Sequence, residues 1–196
     1  MDQRTIDTYD AMAREYDTET ADFWNLFPRD FLDRFIAESG PHVLDIGSGP
    51  GRDGLLLQAA GKQVICLDAS QVMVELSRER GLESIVGDLL ALPCADRSFD
   101  AVWAYTSLLH VRKSEFDTAL SEIRRVLVPG GILGLGLIEG DTELYRESSG
   151  VSLPRWFSFF EKDEVIEHAR TSGFELVHFD SFTPRSKRYL HFLFRA

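Results

Sequence analysis

Short apolar runs of strand length recur along the chain, separated by segments in which apolar residues repeat at helical spacing. The runs predict buried strands, and the alternation of the two patterns is typical of an α/β fold built on a parallel sheet. The strands predicted in the first two thirds of the chain cover residues 43–47, 63–68, 84–86, 101–105 and 132–138.

Helical spacing predicts a helix between most of these strands. The clearest covers residues 114–127, where apolar residues recur every three or four positions and Ser114 with Asp117 predicts a capping box. Glycine and proline punctuate the chain where the helices stop, as expected for residues that favour helix ends. The other predicted helices end near Gly61 or cover residues 71–80 and 162–172.

The two ends of the chain carry different patterns. Residues 3–35 predict two helices broken near Pro28, because proline cannot continue a helix. Residues 174–182 and 189–195 predict two strands without a helix between them, and therefore an antiparallel hairpin at one edge of the sheet. We expect one domain over residues 1–196, with residues 1–40 as a helical lid and residues 41–196 as the core.

Composition narrows the function. A chain of 196 residues with 44% hydrophobic content can bury one continuous core, and a formal charge of -11 disfavours a nucleic-acid partner. The polar start and the absence of a long apolar run predict a cytoplasmic protein with no membrane partner. Cys66 and Cys94 lack metal-ligand spacing, so no metal site is expected. The expected assembly is a monomer or a weak homodimer.

The strongest chemical signal is the stretch VLDIGSGPG that begins at Val43, a strand that runs into glycines where a helix begins. Glycines there let a ligand approach the backbone at a helix N-terminus. Asp68 ends the next strand and suits ribose hydroxyls, since ligands of open α/β sheets bind beyond the carboxyl ends of the strands. Asp88, after the third strand, adds a carboxylate that could accept hydrogen bonds from an adenine amino group.

With these motifs in order, the chain resembles the class I S-adenosylmethionine-dependent methyltransferases. DIGSGPG resembles the glycine loop of that family, LDAS its ribose-binding acid, GDLLALP its adenine-side motif and RRVLVPGGILGLG its fifth-strand region. The resemblance implies a doubly wound α/β fold with a mostly parallel seven-stranded sheet, an antiparallel C-terminal hairpin and N-terminal lid helices. It also implies S-adenosylmethionine as cofactor and S-adenosylhomocysteine as product.

The resemblance assigns roles to individual residues. The glycine loop would hold the methionine moiety with Asp45 facing its ammonium group, Asp68 would bind the ribose, and Asp88 with Leu89 would hold the adenine. Met73 could reach over the ribose, although a methionine at this spacing is also a good core residue. The residues expected to bind the cofactor are Tyr16, Asp45, Gly47, Ser48, Gly49, Asp68, Ala69, Met73, Asp88, Leu89 and Tyr105.

The acceptor is expected to be a small molecule, attacked at oxygen or nitrogen by in-line displacement. Ala104 to Ser107 lack the Asp or Asn followed by prolines that amino-group-modifying DNA enzymes of the superfamily carry. His110 follows the fourth strand and is the predicted catalytic residue, as a general base or an acceptor-positioning group, with a helix-capping or packed histidine as the alternative. The other histidines, His191 among them, are expected to lie away from the methyl group. Residues 139–160 predict a long loop that binds the acceptor, or a satellite core.

Two other functions fit parts of the pattern. Gly49, Gly51 and Gly54 also satisfy the G-x-G-x-x-G spacing of nicotinamide-dependent oxidoreductases, with Asp68 again on the ribose. Asp45 inside the first strand, the pair at Gly87 and Asp88 and the closing hairpin disfavour that interpretation. A catalytically inactive protein that binds the cofactor and regulates a partner is the third alternative.

Overall fold

The computed structural model describes residues 1–148, 151–184 and 186–196. Apolar positions at helical spacing form one buried face on most helices, while the central strands are buried along nearly their whole length. The helices are α1 (Gln3–Glu19), α2 (Phe23–Leu26), α3 (Asp30–Glu38), α4 (Arg52–Ala59), α5 (Gln71–Glu79), α6 (Phe116–Val126) and α7 (Lys162–Thr171). The strands are β1 (His42–Ile46), β2 (Gln63–Asp68), β3 (Glu83–Val86), β4 (Phe99–Tyr105), β5 (Leu127–Ile138), β6 (Glu143–Ser148), β7 (Val151–Ser158), β8 (Glu175–Phe182) and β9 (Tyr189–Arg195).

Seven of these strands form one sheet in the order β3-β2-β1-β4-β5-β9-β8. The first five are parallel neighbours, and β9 runs antiparallel to both β5 and β8. The predicted mostly parallel sheet and its antiparallel C-terminal hairpin are both confirmed. The strand order reverses direction between β1 and β4, which is where open α/β sheets bind their ligands.

The opening segment contains three helices, so the prediction of two helices broken only near Pro28 is wrong. The chain breaks twice, once between α1 and α2 and once between α2 and α3. Phe27 has an extended backbone, the conformation that a following proline favours. At the first break, Thr20 is the C-cap of α1 and Asp22 is the N-cap of α2. The hydroxyl of Thr20 donates a hydrogen bond to the carbonyl oxygen of Tyr16.

The predicted capping box at Ser114 and Asp117 is also wrong. A short 3-10 turn over Lys113–Glu115 precedes α6, and no side chain caps that helix. A capping box does occur at α7, where Glu161 and Glu164 satisfy each other's backbone N–H groups.

Residues 139–160 were predicted as a loop but contain the two-stranded antiparallel sheet of β6 and β7; residues 149 and 150 lie outside the described part of the chain. Helix α1 packs on this sheet. The hydroxyl of Thr8 donates to the carbonyl oxygen of Pro154 at 3.1 Å, and the backbone N–H of Trp156 donates to the hydroxyl of Thr5 at 2.8 Å. Interstrand and side-chain hydrogen bonds therefore satisfy backbone groups that a long loop would leave to water. Over the described residues, no helix has the length and apolarity that a bilayer crossing requires.

Candidate active site

A cavity of about 110 Å³, measured as the volume open to the centre of a water molecule, lies beyond the carboxyl ends of β1, β2 and β4. The glycine loop, the residues after β2 and the residues after β4 form its floor, while α1 and α2 cover it. Residues far apart in the chain meet there because parallel strands end at the same edge of the sheet.

The glycine loop has the backbone that only glycine adopts readily. Gly47 has φ +64° and Gly49 has φ +53°, both in the left-handed region. A Cβ on Gly47 would lie 2.3 Å from the Cβ of Ser107, whereas a Cβ on Gly49 would have only the Tyr16 ring near it, at 4.0 Å. Gly49 therefore exposes its backbone to the cavity, and a ligand can approach it closely.

Asp68 connects the glycine loop to the start of α5. Its carboxylate accepts hydrogen bonds from the N–H groups of Gly49 and Ser70, both at 2.8 Å. Burial raises the pKa of Asp68 to about 6, although these two hydrogen bonds oppose that shift and the nearby Asp10 adds to it. The side chain is thus a preformed acceptor on the cavity wall.

Two further carboxyl groups lie beside the same cavity, the buried Asp45 and the partly buried Asp53. Burial raises the pKa of Asp45 well above its usual range, and the neighbouring charges of Asp53 and Asp68 raise it further. Burial also raises the pKa of Asp53. Raised pKa values favour the neutral acids, and a cation bound between them would stabilise their ionised forms, which an anion cannot do.

Asp53 lies in the first turn of α4, where the helix dipole favours an acid whether or not a ligand is present. In the structure Asp53 lines the cavity and accepts from two indoles, with Trp24 Nε1 at 2.6 Å and Trp103 Nε1 at 2.7 Å. These two hydrogen bonds oppose the effect of burial on the Asp53 pKa. Because Trp24 belongs to α2 and Trp103 to β4, the carboxylate ties the helical cover to the central sheet.

Aromatic rings form the wall of the cavity next to Asp53. Trp24 lies between Phe23, whose ring centroid is 5.1 Å away, and Tyr105, at 5.3 Å. Tyr105 also stacks on Trp103 with 5.5 Å between centroids and 7° between planes. We call Phe23, Trp24 and Tyr105 the aromatic wall; none of them is fully buried.

Comparison with known proteins agrees with this geometry. Residues 43–131 match the family model described as a methyltransferase domain. A demethylmenaquinone methyltransferase of Mycobacterium sp. (strain KMS) is 33% identical over 159 residues, which cover 75% of this chain and 67% of that protein. The chain belongs to the S-adenosylmethionine-dependent methyltransferases. It spans between 40% and 54% of the length of several other curated relatives.

Two solved methyltransferase structures share the fold. The complex of DhpI with S-adenosylhomocysteine has a TM-score of 0.80 at 22% identity and covers 98% of this chain and 95% of its own. The 1,6-didemethyltoxoflavin-N1-methyltransferase of Burkholderia thailandensis has a TM-score of 0.72 at 20% identity, over 97% of this chain and 87% of its own. At these identities the likeness establishes the fold of the methyltransferase.

The residues present fit S-adenosylmethionine. Over the described residues, the hydroxyls of Ser48 and Ser107 are buried without a hydrogen-bond partner, and both residues line the cavity. Buried polar groups are normally satisfied, so these two hydroxyls indicate a polar ligand. A cofactor that carries a sulfonium and an ammonium group also suits the surrounding carboxylates. The other predicted binding residues that line the methyltransferase cavity are Tyr16, Asp45, Gly47, Gly49, Asp68, Ala69, Met73, Leu89 and Tyr105.

Asp88 is the predicted cofactor residue that the structure places outside the cavity lining. Its side chain is 45% exposed, accepts from the Leu90 N–H at 2.9 Å and pairs with the amino group of Met1 at 2.7 Å. Arg14 of α1 is also outside the cavity lining; it is exposed and its guanidinium lies 3.7 Å from the carboxylate of Glu79. Asp88 stays a prediction on the adenine side of the methyltransferase site.

His110 lines the cavity within a network of hydrogen bonds. Its Nδ1 lies 2.6 Å from the carbonyl oxygen of Trp156, which only accepts, so Nδ1 carries the proton. Nε2 is then free to accept from the hydroxyl of Tyr9 at 2.8 Å, while Arg155 donates to the same hydroxyl at 2.6 Å. Burial lowers the pKa of His110 to about 3, which keeps the ring neutral.

Proposed function

We propose that this methyltransferase transfers the methyl group of S-adenosylmethionine to a small, planar acceptor without negative charge, bound against the aromatic wall. The observation that carries the proposal is the shared cavity, whose lining includes both the glycine loop and the aromatic wall. Flat rings recognise flat ligands by stacking and edge contacts. The demethylmenaquinone methyltransferase relative supports an aromatic acceptor and adds carbon to oxygen and nitrogen as the candidate attacked atom.

The protein's contribution is alignment. The bound cofactor supplies a methyl group on a good leaving group, so the chain must place the acceptor in line and exclude water. Alignment of this kind supplies on the order of 7–11 kcal/mol without a dedicated catalytic side chain. Trp24 on α2, held by Asp53, and Tyr9 with Tyr16 on α1 close the cavity over the reacting groups.

Charge selects among acceptors. The cavity is bordered by three acids, Asp45, Asp53 and Asp68. Among the described residues that line it, Arg52 is the only arginine. The side chain of Arg52 already pairs with the carboxylate of Asp17 at 2.5 Å. Each of these acids that ionises would repel an anionic acceptor, whereas a neutral or cationic acceptor avoids this repulsion.

We propose a positioning role for His110. An imidazole that takes up a second proton only below about pH 3 is a weak base, which disfavours direct proton abstraction at neutral pH. Its Nε2 fixes the phenol of Tyr9 on the cavity wall instead. His110 would therefore set the shape of the acceptor site through Tyr9.

Calorimetry on the purified chain tests the proposed function. S-adenosylmethionine should bind, NADH should not, and S-adenosylhomocysteine should compete as product. A screen of paired acceptors, each planar phenol or quinol beside its carboxylated analogue, should then yield methylated product only from the uncharged member. Tight NADH binding without S-adenosylmethionine binding would support an oxidoreductase, and cofactor binding without any methylated product would support an inactive cofactor-binding protein.

A further inference from the structure

Four residues stand in one row across neighbouring strands of the large sheet. Tyr105 of β4 is paired in register with Gly136 of β5, Gly136 with His191 of β9, and His191 with Asp180 of β8. Residues directly opposite each other on paired strands share a face of the sheet. The row therefore begins at the cavity, which Tyr105 lines, and ends at the edge strand β8.

Gly136 has no side chain, and this leaves the space in which Tyr105 reaches His191. A Cβ on Gly136 would lie 2.5 Å from Cδ2 of Tyr105, so the phenol ring occupies the volume of the missing side chain. The Tyr105 hydroxyl thereby reaches past β5 to within 3.1 Å of Nε2 of His191. His191 is 4% exposed and its ring stacks on Phe31, with centroids 4.5 Å apart and planes at 9°.

Hydrogen bonds continue the row to the protein surface. Nδ1 of His191 lies 2.7 Å from Oδ1 of Asp180, and Nε2 of His178 lies 2.9 Å from Oδ2 of the same carboxylate. Burial alone would raise the pKa of Asp180, but the hydrogen bonds from both imidazoles outweigh it and lower the pKa. An ionised carboxylate only accepts, so Nδ1 of His191 carries the proton and Nε2 is left to accept from Tyr105.

The side chain of Asp180 is 40% exposed and that of His178 is 28% exposed, so the far end of the row meets water. Methylation of a neutral acceptor that carries a hydrogen on the attacked atom releases one proton, because the positive charge of the sulfonium disappears. In a covered cavity that proton needs a path to solvent.

We propose that Tyr105, His191 and Asp180 form a proton relay from the methyl-acceptor site to the surface. The proposal rests on the methyl transfer proposed above. The attacked atom forms its bond to the methyl carbon, and the leaving sulfur keeps the electron pair of the broken bond. The acceptor's proton moves to the oxygen of Tyr105 as the phenol's own proton moves to Nε2 of His191. The imidazolium passes its Nδ1 proton to the carboxylate of Asp180, whose exposed side chain releases the proton to water. After the product leaves and water enters the cavity, Nδ1 regains a proton through Asp180 and the Nε2 proton leaves through Tyr105, which restores the starting tautomer.

The relay differs from the expectation that His191 lies away from the reacting groups, because it connects His191 to the cavity through Tyr105. The ionisable groups that bear on the Tyr105 phenol are Asp53 from α4, Tyr189 from β9 and Asp180 from β8; those on His191 are Tyr105 and Asp180. Burial raises the pKa of Tyr105 well above its usual range, and the neighbouring acids add to this. A free phenolate is therefore disfavoured, and Tyr105 passes a proton only while it accepts another.

Nitrogen NMR of the histidine side chains tests the resting state without any acceptor. In the full chain labelled with ¹⁵N, His191 should be neutral with the proton on Nδ1, and that proton should resonate downfield because it is shared with Asp180. The Asp180→Asn variant should shift this signal upfield. A His191 signal from the Nε2-protonated ring would overturn the relay, since Tyr105 would then have no acceptor.

Kinetics on His191→Gln test the proton transfer itself. Glutamine can keep both hydrogen bonds but cannot take up a proton. We expect kcat to fall about 100-fold, with the Kd for S-adenosylmethionine changed less than about twofold, because general acid–base catalysis contributes about 10²–10⁴-fold. The wild-type kcat should fall at acidic pH and slow in D₂O, and the variant should lose both effects.

His42→Gln is the matched control. His42 likewise bonds an aspartate, with Nδ1 2.8 Å from Asp100, but at the amino end of β1, opposite the end of the strand that faces the cavity. Because His42 and Asp100 do not line the cavity, this variant should keep the wild-type kcat, pH profile and solvent isotope effect. If His191→Gln does not fold, Asp180→Asn serves instead, because its half-exposed side chain tolerates replacement; kcat should fall about 10-fold.

Full turnover with an unchanged pH profile in a folded His191→Gln or Asp180→Asn enzyme would overturn the relay while leaving methyl transfer intact. Failure of the wild-type chain to bind S-adenosylmethionine would refute the proposed function instead. In that case the NMR experiment still decides whether the hydrogen-bonded row exists.

Discussion

Asp68→Asn should weaken cofactor binding and at the same time leave the cofactor-free protein as stable as before or more stable. The carboxylate is partly buried on the cavity wall, and this burial raises its pKa from 3.8 to about 6. A raised pKa means that the ionised form is disfavoured in the folded chain. Each tenfold change in an acid constant is worth about 1.4 kcal/mol, so above pH 6 the ionised side chain lowers the free energy of unfolding by about 3 kcal/mol.

The amide removes that cost but introduces a smaller one. Its NH₂ group must face the N–H of either Gly49 or Ser70, which leaves one donor unsatisfied at a cost of about 1–3 kcal/mol. The net change in unfolding free energy at pH 7 is therefore about 0 to 2 kcal/mol in favour of the variant. A bound ribose would lose charge-assisted hydrogen bonds, which should raise the Kd for S-adenosylmethionine about 10- to 100-fold.

The pH dependence has a defined sign. Between pH 3.8 and about 6 the folded chain holds a proton on Asp68 that the unfolded chain has lost. The stability contributed by this group is therefore complete below pH 3.8 and is lost as the pH rises to about 6. Denaturant unfolding at several pH values should show that the free energy of unfolding falls less steeply with rising pH in Asp68→Asn than in the wild type. Some fall should remain, since Asp45 and Asp53 retain their own contributions.

Asp100→Asn is the control of opposite sign. Asp100 accepts from the His42 N–H at 2.9 Å, and this hydrogen bond lowers its pKa, so its ionised form stabilises the fold. That variant should lose stability at pH 7 and bind the cofactor normally. Unchanged cofactor affinity in folded Asp68→Asn would remove Asp68 from the site, and a marked loss of stability would refute the argument from burial.

Three further changes test separate parts of the site. Gly49→Val should abolish S-adenosylmethionine binding in calorimetry, because a branched side chain strains the left-handed turn and fills the cofactor's approach; normal affinity would refute the loop assignment. Trp24→Phe should lower the free energy of unfolding by about 1.5–3 kcal/mol in denaturant titrations, because the partly buried Asp53 carboxylate loses an indole donor, and an unchanged value would mean that water replaces the indole. His110→Gln should raise the acceptor KM about 10-fold with little change in kcat, because Tyr9 loses its fixed partner; a large fall in kcat that follows imidazole titration would restore a general-base role.

The local pattern of the sequence determined much of the fold and the cofactor half of the site. Buried parallel strands must be continuously apolar and helices must repeat every three to four residues, so both are visible along the chain. The glycines at Gly47 and Gly49 and the acid at Asp68 were likewise visible, because a loop that binds a ligand through its backbone needs those residue types at fixed spacing. Their positions relative to the strands then followed from parallel topology.

Only the tertiary structure decided which polar residues work together. Asp53 has the sequence context of an ordinary acid in the first turn of a helix. The residues near it in the chain do not indicate that indoles from α2 and β4 donate hydrogen bonds to it. The sequence pattern does not show the strand pair within residues 139–160. Its two strands are held by hydrogen bonds to each other and to α1, and they contain no continuous apolar run that would predict a buried strand.

His191 shows the limit most clearly. Its sequence position, in the last strand, suggests distance from a site built on the first four strands. The sheet order places β9 beside β5, and the missing side chain of Gly136 lets Tyr105 reach across to it. Strand order and register are long-range properties, set by the packing of the whole sheet rather than by any one segment, and they decide that His191 lies one hydrogen bond from the cavity wall.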